Sequence, residues 1–294
     1  MSRRGIRFEK GHGTGNDFVL ILDYSGELEL SPTWVAQLCD RRRGIGADGL
    51  IRVVRSAAAA ELANDTDGHA TATAEWFMDY RNADGSLASM CGNGARVFAR
   101  YLLSAGLATG PQFTIMTRGG QRSVRVNDHD RIAVEIGHSV ACSTGSRPVV
   151  AVPGRQWLAS AWWLPNPHAV VWVDDLADAG SLTAAPTVRS DRFDNGVNVE
   201  FAIDSSDGGS PRAAMRVYER GVGETASCGT GACAVALSLR QRNGIVGPGT
   251  VPVQVPGGTL EVSFDESDRI WLAGPAVLVA AGELLEPLSD GSTL

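Results

Sequence analysis

The sequence predicts a mixed α/β chain made of two similar halves. Short apolar runs bounded by glycine, proline and polar turns recur along all 294 residues at strand length. Two helical segments open at a cysteine in nearly the same setting, SMCGNGARVFA at residues 89 to 99 and ETASCGTGACA at 224 to 234. Cys91 and Cys228 stand almost half the chain apart, the interval of an internal duplication.

IRFEKGHGTGNDFVLILD reads as strand, glycine-rich loop, strand. In SPTWVAQLCDRRRG, Ser31 is placed as N-cap and Pro32 in the first turn, with Gly44 ending the helix. LIRVVR is a short strand, and the segment from Ser56 to Ala74, without a clear period, reads as an insertion. WFMDYRNADGS is a strand entering a turn at Asn82 to Gly85, and from Cys91 the apolar positions Val97, Phe98, Tyr101 and Leu102 recur at helical spacing. From Gly110 the pattern is mostly strands: FTIMT, RSVRV, RIAVEI, WLASAWWL, HAVVWV, VNVEFAI and AMRVYER. A helix from near Cys228 to Arg242 follows, and then the strands VPVQV, TLEVSF, IWLA and AVLVA.

Composition and charge exclude several classes. A formal net charge of -7 argues against a phosphate-backbone partner, and the run Arg41, Arg42, Arg43 reads as a solvated turn. No apolar h-region follows the first arginines, and no stretch reaches the ~18 apolar residues of a membrane span, so a cytoplasmic protein with no membrane partner is expected. Five cysteines in no regular framework fit reduced thiols.

Literal motif matches do not hold. Gly44 to Gly49 satisfies G-x-G-x-x-G, but it follows a helix and precedes a strand, the reverse of a dinucleotide fold. Cys228 and Cys233 have no second pair at metal-ligand spacing, so no metal is expected. Lys10 is the only lysine and sits in no pyridoxal phosphate motif, so no cofactor is expected. Cys39, Cys142 and Cys233 read as small packing residues.

A cysteine in the first turn of a helix feels the positive end of the dipole and the unpaired N–H groups, which favour the thiolate. The flanking Gly92, Gly94, Gly229 and Gly231 open the same turn to a substrate carboxylate. Two such sites suit inversion of a stereocentre next to a carboxylate, with a thiolate taking a proton from one face and a thiol returning one to the other. One proton shared by the pair is the expected state.

Taken in order, GHGTGNDF, RNADGS with MCGNGAR, NPH at Asn166 to His168, GVNVEF, YERGVGETASCGTGA, VPGG and GPAV resemble the diaminopimelate epimerase family over almost the whole chain. The resemblance implies two pseudo-symmetric α/β domains, each a β-barrel around a central helix: residues 1–135 with 275–294, and residues 136–274. It implies cofactor-independent epimerisation of LL-diaminopimelate to the meso form, in lysine and peptidoglycan precursor biosynthesis, with Cys91 as proton donor and Cys228 as acceptor. By the same resemblance Asn16, Asn82, Asn166, Asn198, Glu219 and Arg220 bind substrate. Gly92 with Asn93, and Gly229 with Thr230, hold the reacting carboxylate, while His168 and Glu219 tune the thiols. Arginine suits the distal carboxylate because its guanidinium can bind it bidentately.

Read without the resemblance, Asn82 and Asn166 are also ordinary turn formers, and His12 reads as a loop-ordering residue. Family members often carry glutamine where Gly49 stands and glycine where Pro165 stands. A tyrosine linked to dimer formation in some relatives aligns near Ala280, leaving a homodimer possible. A proline or hydroxyproline racemase-like enzyme is the alternative reading, and a thiol redox or binding protein is a more distant one.

Overall fold

The computed structural model describes residues 5–59, 74–127, 131–138, 140–141, 146–164, 166–193 and 195–285. Most of the segment from Ser56 to Ala74, as well as Cys142 and Pro165, lies outside the described residues. The chain divides into two compact units, residues 1–134 with 275–294 and residues 135–274.

In the first unit, β1 (Arg7–Gly13) and β2 (Asn16–Leu22) form an antiparallel hairpin. Its loop residues Thr14 and Gly15 both have positive φ, 51° and 82°, the conformation that matches the twist of paired strands. Helix α1 (Pro32–Cys39) starts as the sequence predicts, with Ser31 Oγ accepting from the Trp34 N–H at 3.2 Å. It stops at Cys39 rather than at Gly44. The Asp40 carboxylate takes the N–H groups of Arg42 and Arg43, each at 2.8 Å, and turns the chain out of the helix. Gly44 then folds back on the last turn, where a Cβ would lie 2.1 Å from the Gln37 carbonyl oxygen.

β3 (Gly49–Arg55) runs parallel to β2, and β4 (Trp76–Asn82) antiparallel to β3. Helix α2 (Gly92–Ser104) follows. β5 (Gln112–Thr117) then returns parallel to β4 and leads through β6 (Gly120–Val126) to β7 (Ile132–Gly137). Phe18, Leu20, Ile51 and Val53 face α2, whereas Val19, Ile21 and Leu50 face Trp34, Val35 and Leu38 of α1. With both faces covered, the central strands read as unbroken apolar runs. Arg52 is the exception within them, buried and paired with Asp79 at 2.6 Å.

The second unit begins at the end of β7. It continues with β8 (Val140–Ala141), β9 (Val149–Val152), β10 (Arg155–Leu158), β11 (Ser160–Trp163), β12 (Pro167–Trp172) and β13 (Thr187–Arg189). WLASAWWL, read from the sequence as one strand, is two. Buried Ala159 donates its N–H to the Pro148 carbonyl, so β10 pairs with β9 in a small sheet and β11 pairs with β12.

β14 (Asn198–Asp204) lies parallel to β12, and β15 (Ala213–Glu219) antiparallel to β14. After β16 (Gly223–Thr225) comes α3 (Gly229–Arg242). β17 (Gly249–Val255) then returns parallel to β15, followed by β18 (Gly258–Phe264) and β19 (Ile270–Gly274). The chain finishes in the first unit, where β20 (Val277–Glu283) pairs antiparallel with β1.

The order β2, β3, β4, α2, β5, β6 is therefore repeated as β12, β14, β15, α3, β17, β18, with the same parallel and antiparallel steps. Each helix is sheathed by the strands of its own unit: α2 packs on β1 to β4 and β20, and α3 on β12, β14, β15, β17 and β18. The fold is mixed α/β, as the sequence predicts. Matching strand registers make Asn16 equivalent to Asn166, Phe18 to His168, Ile51 to Glu200 and Asn82 to Glu219.

Candidate active site

Each unit presents one cysteine at the mouth of its enclosed helix. In the first unit Cys91 is the N-cap of α2, its Sγ accepting from the Gly94 N–H at 3.4 Å. The same thiol donates to Asn16 Oδ1 at 3.6 Å. Asn16 is held by two neighbours: it donates to Asp48 Oδ2 at 2.7 Å and accepts from Asn93 Nδ2 at 3.3 Å. Asn93 Oδ1 in turn accepts from Arg96 Nη2 at 2.9 Å, and Arg96 Nη1 donates to the Gly92 carbonyl at 3.2 Å. Gly92 and Asn93 are buried in the first turn, where N–H groups have no acceptor within the helix.

The support extends outward through charge. Arg41, read as part of a solvated turn, bonds Asp17 at 2.6 Å and Asp48 at 2.7 Å, and Lys10 pairs with Asp17 at 2.7 Å. Burial alone would raise the Asp17 carboxyl, but its hydrogen bonds with Arg41 and Lys10 bring it down to about 2. Lys10, the lone lysine, is thus an ion-pair partner.

Asn82 sits apart from these contacts. Its amide donates to Ser86 Oγ at 2.9 Å and accepts from the Tyr80 hydroxyl at 3.0 Å, so it closes its own turn. Tyr80 also explains Gly49. A Cβ there would come within 2.6 Å of the Tyr80 ring and 2.5 Å of the Arg81 carbonyl, leaving no room for a side chain.

In the second unit Cys228 is the N-cap of α3, its Sγ accepting from the Gly231 N–H at 3.4 Å and lying 3.6 Å from the Thr230 hydroxyl. The Glu219 carboxylate accepts from Thr225 Oγ1 and sets its negative charge near this sulfur. The pull of the helix start toward the thiolate is opposed at this sulfur. Burial, followed by the negative charges of Glu219 and Glu200, pushes the Cys228 thiol well up. The Thr230 and Gly231 hydrogen bonds pull the other way and are outweighed. Burial likewise raises the Glu219 carboxyl. Helix-terminal N–H groups favour a thiolate only where the site around them stays open or positive.

His168 is fully buried, with Nδ1 2.6 Å from Glu200 Oε1 and Nε2 2.9 Å from Asn166 Oδ1. Its register partner on β14, Asn198, accepts the Arg220 backbone N–H at 2.9 Å. Arg220 itself is exposed and donates through Nη1 to the Asn195 carbonyl at 2.9 Å. Gly196 allows that placement, because a Cβ on its left-handed backbone would stand 3.0 Å from Arg220 Cδ. Gly229 and Thr230 occupy the first turn, as Gly92 and Asn93 do in the other unit.

The structure also brings in residues the sequence reading passed over: Asp48 and Arg96 beside Cys91, and Glu200 beside Cys228. Arg96 and Glu200 are ionisable side chains inside otherwise apolar elements, and that was the available signal.

The sequence profile of the family described as diaminopimelate epimerase matches residues 8–142 and 164–279. The chain belongs to the diaminopimelate epimerase family. The diaminopimelate epimerase of Streptomyces coelicolor is 48% identical over 289 residues, covering 96% of both chains. That of Mycolicibacterium gilvum is 46% identical, covering 96% of this chain and 98% of its own. Among solved structures, a hydroxyproline epimerase from Agrobacterium vitis superposes with a TM-score of 0.64 at 12% identity, over 98% of this chain and 94% of its own. A phenazine biosynthesis protein of the PhzF family from Enterococcus faecalis gives 0.63 at 13% identity, over 95% and 99%. At such identities these two likenesses speak for the fold that diaminopimelate epimerases share with them. As a member of an epimerase family, the chain is an isomerase acting on a small molecule.

Proposed function

We propose that this chain interconverts LL- and meso-diaminopimelate without a cofactor, using Cys91 and Cys228 as the two acid–base groups. The observation that carries the reading is a matched pair of N-cap cysteines in different surroundings, Cys91 against the Asn16 amide and Cys228 near the negative charge of Glu219. Glu219 takes the Cys228 proton. The resulting thiolate removes the α-proton of the LL substrate, and the Cys91 thiol delivers its own proton to the opposite face. Cys91 is left as thiolate and Cys228 as thiol, which is the starting state for the reverse direction.

First-turn N–H groups at Gly92, Asn93, Gly229 and Thr230 hold the reacting carboxylate and stabilise charge as the carbanion forms. Arg220, exposed and carrying donors beyond the one it spends on Asn195, takes the distal carboxylate. Asn16, Asn166 and Asn198 line the two half-sites as binding groups, and Asn82 reaches substrate by opening its bonds to Ser86 and Tyr80. Residues 1–135 with 275–294, and 136–274, act as the two epimerase domains.

The enzyme works in the cytoplasm, feeds lysine and peptidoglycan precursor biosynthesis, and has no nucleic-acid or membrane partner. Its net charge of -7 supports this, and among the described residues no helix is long and apolar enough to cross a membrane. Exposed Val277 and Val279 on β20 support a homodimer.

The decisive experiment supplies LL-diaminopimelate in deuterium oxide with no added cofactor. The meso product carrying one deuterium at the inverted carbon is expected. Inertness toward this substrate, with exchange on proline instead, selects the racemase-like alternative.

A further inference from the structure

The two half-sites share a backbone plan but differ in what stands behind the sulfur. Behind Cys91, the missing Cβ of Gly94 would touch Met78 Cε at 3.0 Å, Ile51 Cδ1 at 3.3 Å and Phe18 Cε1 at 3.4 Å, all apolar. Behind Cys228, the missing Cβ of Gly231 would lie 2.7 Å from Glu200 Oε1 and 3.2 Å from its Cγ. The positions of Ile51 and Phe18 are taken by Glu200 and His168, both fully buried. Gly231 therefore admits a carboxylate against the first turn of α3, where the helix dipole favours negative charge. Glu200 Oε2 is buried and has no hydrogen-bond partner among the described residues.

A buried carboxylate with one oxygen unpartnered needs compensation by charge. Among the described residues it interacts with His168 on β12, Glu219 at the end of β15 and Cys228 at the start of α3, and of these three His168 alone can be positive. His168 also faces an acceptor at each ring nitrogen, Glu200 Oε1 and Asn166 Oδ1.

We propose that Glu200 is a positioning residue that keeps His168 as a buried imidazolium, and that this cation fixes the Asn166 amide with its oxygen inward and its NH2 turned to the substrate. A neutral imidazole accepts at one nitrogen and leaves the amide free to turn over, presenting oxygen where the substrate carboxylate needs a donor. The first unit has no such device, because Phe18 holds the place of His168. The role rests on the proposed epimerase reading, but the protonation state is measured without substrate.

Full-length protein carrying ring-15N histidine is examined by NMR at neutral pH, and the His168 signals are assigned by their loss in His168→Phe. Both ring nitrogens of His168 are expected to bear protons in the wild type and only one in Glu200→Gln. Two coupled N–H groups in the wild type support the proposal, and one pyridine-type nitrogen overturns it. In turnover, Glu200→Gln is expected to raise KM about tenfold, the scale of one charge-assisted hydrogen bond, with a smaller change in kcat. That KM falls back as the pH is lowered and His168 regains its proton. A Glu200→Gln KM equal to wild type, or one insensitive to pH, also overturns the role. Absence of any activity in the wild type would count against the epimerase reading alone.

Discussion

Cys228 shows why a residue's local frame does not settle its charge. The N-cap position offers N–H groups to sulfur, yet burial and two nearby carboxylates hold the proton on it. In the proposed mechanism Glu219 both raises the thiol through its charge and receives its proton. Replacing it by glutamine removes a negative charge that raises the thiol, so the Cys228 titration moves to lower pH. The shift is read from ultraviolet thiolate absorbance with Cys228→Ala as the blank. Turnover is expected to fall about 10²-fold or more with loss of the proton acceptor. An unchanged titration would mean that Glu219 does not set the Cys228 proton. The two cysteines and their glycines were legible because the motif occurs twice. Glu200 was not, since VNVEF is buried on both faces and has no alternation to mark where a side chain points. Only an acid in an apolar strand hinted at it.

At the scale of elements, each helix start is built so that a strand can approach it closely. The second glycine of C-G-x-G is where this approach occurs, and the two copies meet different neighbours. Gly94→Ala pushes on the flexible end of Met78, which can move, so activity within about threefold of wild type is expected. Gly231→Ala drives a methyl into the Glu200 carboxylate held by His168, so a loss of at least about tenfold is expected, with KM affected more than kcat. Steady-state kinetics on the two purified variants compares them directly, and equal effects would contradict the difference between the half-sites. Most strands and both cysteine-capped helices could be read from apolar runs and turn residues. The end of α1 could not, because Asp40 stops it through its side chain before the glycine arrives. The break at Ala159 also escaped detection, since alanine carries no turn signal.

For the whole molecule, the proposed two-thiol mechanism needs one cysteine from each unit. Cys91→Ala and Cys228→Ala are each expected to lower epimerisation by roughly 10³-fold or more, and the double variant no further, as for groups acting as a unit. Losses that multiply in the double variant would show two independent routes. The two units also differ in how the chain completes them. The second is drawn from one continuous stretch, whereas β1 waits for β20, and the Gly5 and Ile6 backbone is tied to Leu284. A ribosome releasing the chain from its N-terminus therefore lets the later-made unit close first. The earlier-made one keeps an open strand edge until β20 has emerged.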